Sequence, residues 1–273
     1  MLSNEELHSK ILYPVTRIRS GKSGGSGVLI YSAPDPKALG EYINIVLTCE
    51  HSISESIKFR DDWDSILKKD VKTDYFEDVN IEVFDYIGSR VVSSNSTLGE
   101  IVAYDKHHDL AAVRLLNPRK MQYIARVIPK ENIKSLKLFD SVFASGCSVL
   151  HDPFASPGVL TYLREMIAQK SFIMSTAPCI FGNSGGGLFL GEDGYLLGLS
   201  SKVTTVQLGF GYDVLTWMSF ATHPERLYEF FDHHELQFIY DNNDNYDDAM
   251  RRREKRRKTA MRELLLNGSN KEK

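Results

Sequence analysis

The sequence is poor in cysteine. Its 273 residues hold three, Cys49, Cys147 and Cys179. An odd, sparse set does not make a disulfide framework, and it favours a reducing compartment. Long apolar runs are missing too: none approaches the roughly 20 residues that a bilayer span needs. The start, Met1-Leu2-Ser3-Asn4-Glu5-Glu6, lacks the basic region and apolar stretch of a signal peptide. These absences lead us to expect a cytoplasmic protein without a membrane span. Charge of one sign is also lacking. A net charge of -3 gives the whole chain no general attraction to nucleic acid or membrane. No segment repeats at a fixed period. Histidine and cysteine are nowhere spaced as a converging ligand set, so neither a metal nor another cofactor is expected.

What is present is an ordinary globular composition, with 42% hydrophobic and 25% charged residues. A chain of this length can bury a core without staples. Short β-rich runs fill the first 220 or so positions, among them Gly27-Val28-Leu29-Ile30-Tyr31, Ile43 to Thr48, Asn80 to Phe84, Gly99 to Tyr104 and Leu110 to Leu115. Ser141 to Ala144, Phe172 to Ser175 and Tyr195 to Leu199 continue the series. Many short strands punctuated by turn residues predict an all-β barrel or sandwich; two barrels of about six strands each would fill the length. Arg60 to Asp78 reads as a charged surface insertion with a short helix around Asp62 to Leu67, and residues 117–137 as a link. Pro224 to Phe231 predicts a helix with proline in its first turn. Beyond Tyr240 an acidic, Asn-rich stretch leads to Arg251-Arg252-Arg253-Glu254-Lys255-Arg256-Arg257-Lys258. Such a charge run is expected to be a tail outside the core, flexible or a lone helix.

Three sites carry chemistry. Ser184 lies in Phe181-Gly182-Asn183-Ser184-Gly185-Gly186-Gly187. A hydroxyl needs a neighbouring base to act as a nucleophile. The glycines permit a tight loop whose N–H groups can face a developing oxyanion. Gly182 and Ser184 are the candidate donors, with Asn183 between them. His51, ending Val46-Leu47-Thr48-Cys49-Glu50-His51, can take the serine proton near neutral pH. Asp109, in His108-Asp109-Leu110-Ala111-Ala112-Val113, would orient the imidazole and stabilise its cation. Each signal alone is weak; together, in the order His, Asp, Ser and each at a strand edge, they are specific.

With these motifs and Ser26-Gly27-Val28-Leu29-Ile30, the sequence resembles the trypsin/chymotrypsin superfamily of serine proteases over roughly residues 11 to 235. Asn183 before the serine and Asp-Leu-Ala at 109–111 are similar to its HtrA-like branch. The resemblance implies two six-stranded antiparallel barrels, at about 11–116 and 138–222, and a helix at about 224–234. The active site would lie in the cleft between the barrels, and residues 236–273 would form a charged tail. It implies a serine endopeptidase acting on protein or peptide substrates through an acyl-enzyme. About 38 residues follow the barrels, too few for the PDZ domain of many HtrA relatives. Gly187 departs from the family pattern and should loosen the loop.

The resemblance also locates the substrate pocket. Pro178 and Cys179 would form one wall, Ser200 and Phe210 the other, with Phe210 and Tyr212 narrowing it. No acid stands near Pro178, which argues against cleavage after Lys or Arg and for a small or medium apolar residue. Ser200 would lie on the strand that pairs with the substrate backbone. His107 and His108 are expected to be exposed loop residues, and the basic tail could meet an acidic partner or nucleic acid. A binding or scaffolding module with this fold is the alternative function.

Overall fold

The computed structural model describes residues 2–64 and 68–269. Six antiparallel strands close the first barrel: β1 (Val15–Ser20), β2 (Ser23–Pro34), β3 (Tyr42–Thr48), β6 (Val79–Ile87), β7 (Arg90–Asp105) and β8 (Leu110–Leu115), in the order β1-β2-β3-β8-β7-β6. Six more close the second: β9 (Ser141–Gly146), β10 (Phe154–Ile167), β11 (Lys170–Ser175), β12 (Gly187–Leu190), β13 (Leu196–Leu208) and β14 (Gly211–Thr222), in the order β10-β11-β14-β13-β12-β9. Among the described residues, four α-helices accompany them: α1 (Asn4–Leu7), α2 (Glu50–Ile53), α3 (Pro224–His233) and α4 (Tyr246–Ser269).

The period-two alternation of side chains explains how the barrels join. On β3, Val46 points into the first barrel with Ile81, Ala111 and Val113. Its neighbours Ile45 and Leu47 point the other way, into a core shared with Phe189 and Leu199 of the second barrel. On β12, Leu188 fills the second barrel while Phe189 faces the shared core. Strands apolar on both faces therefore sit between two cores. Leu227, Phe230 and Phe231 of α3 seal the shared core from outside. The α3 N-terminus is capped by His223, whose Nδ1 accepts the Glu225 N–H at 3.3 Å.

Two expectations need correction. The insertion is a hairpin of β4 (Ile57–Asp64) and β5 (Lys69–Phe76). Asp62, Trp63 and Asp64 pair with Val71, Asp70 and Lys69, so they are strand, not helix. Residues 65–67 of that predicted helix lie outside the described residues. The basic tail is not separate from the core either. Ala249 of α4 is buried in the shared core. Arg252 pairs with Asp244 and Glu235. Arg253 donates to the Val102 carbonyl at 2.7 Å and Arg256 to the His233 carbonyl at 3.0 Å. Among the described residues, no helix is long and apolar enough to cross a membrane.

Candidate active site

β3 ends at Thr48, and the single turn α2 that follows carries His51. Asp109 sits in the turn between β7 and β8 with φ +58°. That is a left-handed conformation, which aspartate tolerates better than most residues and which functional sites often retain. His51 Nδ1 lies 2.9 and 2.8 Å from the two Asp109 oxygens. The His51 backbone N–H donates to Asp109 Oδ1 at 3.0 Å, and Ser201 Oγ donates to Oδ2 at 2.6 Å. Burial pushes the Asp109 carboxyl up, but the bonds from His51 and Ser201 outweigh it and hold the group below its ordinary value. Asp109 is thus an anion with its lone pairs engaged. The Asp109 side chain is 18% exposed and that of His51 47%, so the imidazole is pinned on one edge and open on the other.

His51 and Ser184 both line a cavity of about 310 Å³. Gly182 and Gly185 shape the serine loop, with φ of +95° and +84°. A Cβ on Gly182 would lie 2.5 Å from Val149 N, and one on Gly185 2.2 Å from Ser26 O. Both positions therefore require glycine. The Phe181 carbonyl accepts the Val149 N–H at 2.8 Å. A trans peptide points its C=O and N–H oppositely, so the Gly182 N–H is turned away from Val149. Among the described residues, neither the Gly182 nor the Ser184 N–H donates to another protein group, whereas the Asn183 N–H is taken by Ile180 O at 3.1 Å. Asn183 instead acts through its buried amide, whose Oδ1 accepts from Ser148 Oγ. Gly187 does not loosen this loop. It begins β12, paired with Ser145 and Leu199, and a Cβ there would strike the Phe189 ring at 2.3 Å.

The predicted pocket residues divide. Cys179 and Ser200 line the cavity together with Ile180 and Val203. Pro178 is exposed and outside this lining. Phe210 stands fully exposed at the tip of the β13–β14 hairpin, and Tyr212 lies beside it, so neither narrows the cavity. Ser200 is not free to pair with a substrate backbone. Its N–H donates to Gly186 O and its carbonyl accepts from Gly185 N, both at 2.8 Å. Sequence reasoning placed Ser201 only in the pocket wall beside Ser200 and missed its bond to Asp109. His108 is half-buried and bonds Asp105 at 2.6 Å.

Among the described residues, one group brings metal-ligand atoms together: those of Cys49, His51 and Asp109 lie within 4.8 Å of one another. The donor chemistry is unfavourable. Burial, then the Asp109 charge, pushes the Cys49 thiol well above its ordinary value, and the thiol donates to Ser200 O at 3.4 Å. Protonated thiols are poor ligands. A larger cleft of about 710 Å³, beside Tyr31, Tyr228 and Tyr240, is lined by none of His51, Asp109 and Ser184. The site thus brings together an oriented imidazole, a serine lining the same cavity and two backbone N–H groups that donate to no protein group among the described residues.

Comparisons with known proteins agree with this reading of the fold. The sequence model of a family described as "Trypsin-like peptidase domain" matches residues 25–199. No curated protein matches the sequence. Among solved structures, a serine endoprotease from Yersinia pestis is 15% identical at a TM-score of 0.53, covering 85% of this chain and 66% of that one. The HtrA-type protease AlgWS227A, solved with a tripeptide, is 16% identical at 0.55, covering 88% and 65%. The MamO protease domain from Magnetospirillum magneticum, in its apo form, is 16% identical at 0.54, covering 82% and 98%. The chain thus spans slightly less than two thirds of the first two, and at these identities the likeness is one of fold.

Proposed function

The chain belongs to the family of trypsin-like peptidase domains, and we propose that it is a serine endopeptidase using Ser184, His51 and Asp109. The observation that carries this reading is the His51 imidazole, held on its Nδ1 edge by the half-buried Asp109 carboxylate and lining one cavity with Ser184. Asp109 keeps the ring proton on Nδ1, which leaves Nε2 free to accept. Ser184 Oγ attacks the scissile carbonyl as its proton passes to His51. The Gly182 and Ser184 N–H groups receive the oxyanion, a contribution typically worth about 100-fold or more in rate for each donor. His51 then protonates the leaving amine and later activates water to release the acyl group.

Cys179, Ile180 and Val203 supply the apolar part of the cavity lining, and no carboxylate stands among the lining residues, which include Lys202. We assign it a small or medium apolar side chain, and peptides varied at that position test this: strong preference for arginine would contradict it. Fluorophosphonate labelling tests the reaction itself. The native chain should be labelled and Ser184→Ala should not. A folded native chain that stays unlabelled would point instead to a binding module with a protease fold.

A further inference from the structure

The hydroxyl of Ser26 belongs to the first barrel, yet both of its bonds are to the second. Ser26 is wholly buried on β2. Its Oγ donates to the Gly182 carbonyl at 2.7 Å and accepts the Cys147 N–H at 2.7 Å. Its backbone N–H donates to the Ser184 carbonyl at 2.8 Å. Its own carbonyl takes the Thr48 hydroxyl at 2.7 Å and lies under Gly185. One residue thus ties the segment after β9 to the loop before β12 and touches that loop at Gly182, Ser184 and Gly185.

The consequence concerns peptide orientation. The carbonyls of Phe181, Gly182 and Ser184 are held by Val149 N, Ser26 Oγ and Ser26 N respectively. Fixing a carbonyl fixes the N–H that follows it in the same plane. The Gly182 N–H is set by the first bond, and rotation of the next peptide is blocked by the second. Gly182 has no Cβ and turns easily between backbone conformations, so without the second bond the Gly182–Asn183 peptide keeps only the 3.1 Å bond from Asn183 N–H to Ile180 O, and the backbone between the two donors can shift. We propose that Ser26 is a positioning residue that presets the oxyanion loop, so that the first barrel holds the loop ready without a bound partner. The inference rests on the serine-peptidase reading above. A serine serving only the barrel core would find its partners within its own sheet.

Ser26→Ala removes the hydroxyl and little volume. It should lower kcat at least roughly 30-fold, somewhat less than the loss of a whole oxyanion donor, while KM stays within about threefold. A peptidyl boronate, whose adduct places an oxygen among the same donors, should lose affinity by a similar factor. Binding of an uncleaved peptide to Ser184→Ala should not change when Ser26→Ala is added. Ser20→Ala is the control: it removes a buried hydroxyl bond of 2.8 Å to Ser56, away from the loop, and should leave kcat unchanged. Should Ser26→Ala fail to fold, Ser26→Cys, a weaker donor, should give an intermediate kcat; a full kcat there would overturn the proposal. So would a Ser26→Ala enzyme that melts lower but keeps kcat and boronate affinity. If instead the native chain resists fluorophosphonate, the peptidase reading itself has failed.

Discussion

Replacing Asp109 with asparagine tests the site at its most constrained point. The carboxylate accepts from the His51 backbone N–H on Oδ1, from Ser201 Oγ on Oδ2, and from His51 Nδ1 on both. An asparagine that keeps the backbone bond must place its NH2 at the Oδ2 position. There it faces Ser201, whose hydroxyl can rotate to accept, and His51 Nδ1, which can accept only if it has lost its proton. The ring proton then moves to Nε2, and His51 can no longer take the proton of Ser184. A wrong tautomer of this kind costs about 10⁴ in kcat, or roughly 5 kcal/mol of barrier. The cavity walls are untouched, so KM should change by no more than about threefold. Steady-state hydrolysis of a peptide substrate gives kcat, fluorophosphonate labelling gives the reactivity of Ser184 separately, and circular dichroism melts show whether the fold survives. A folded Asp109→Asn enzyme with kcat within about tenfold of native would refute the tautomer argument.

The parts of the site that sequence displays are those carried by short local patterns. His51, Asp109 and Ser184 each lie at the edge of an apolar strand, and an apolar run bounded by turn residues is legible without a partner. The roles of Ser201 and Ser26 were not legible. Ser201 meets Asp109 across 92 positions and Ser26 meets Gly182 across 156, so only closure of both barrels creates the contacts. The β4–β5 hairpin was missed because both its faces are exposed, and Phe59 and Trp63 stand among charges without a buried alternation. Phe210 was misplaced although Gly209 and Gly211 flank it as a turn; turn chemistry deserved more weight than proximity to the pocket strand. The tail was misread by treating its charges as solvated. Asp244 of its acidic stretch, and Glu235 just before the tail, lie where Arg252 and Arg256 can reach them.

Two further predictions concern stability. Arg253→Ala should destabilise the protein by about 1–2 kcal/mol, because it strips the Val102 carbonyl of its partner. The exposed Lys258→Ala should stay within about 0.5 kcal/mol; equal urea midpoints for the two variants would contradict the docking of α4. His223 should make the fold acid-sensitive. Burial lowers its pKa from 6.5 to about 4, and its unprotonated Nδ1 caps α3. The unfolded chain therefore binds a proton near pH 6.5 that the folded chain resists until about pH 4. The stabilisation is complete above that upper value and is lost as pH falls through the window, by roughly 2 kcal/mol between pH 7 and 5. His223→Asn retains a capping oxygen for the Glu225 N–H but has no proton to gain, so urea unfolding at the two pH values should show a loss smaller by that amount. An identical acid loss in His223→Asn and the native chain would mean that the cap does not sense pH.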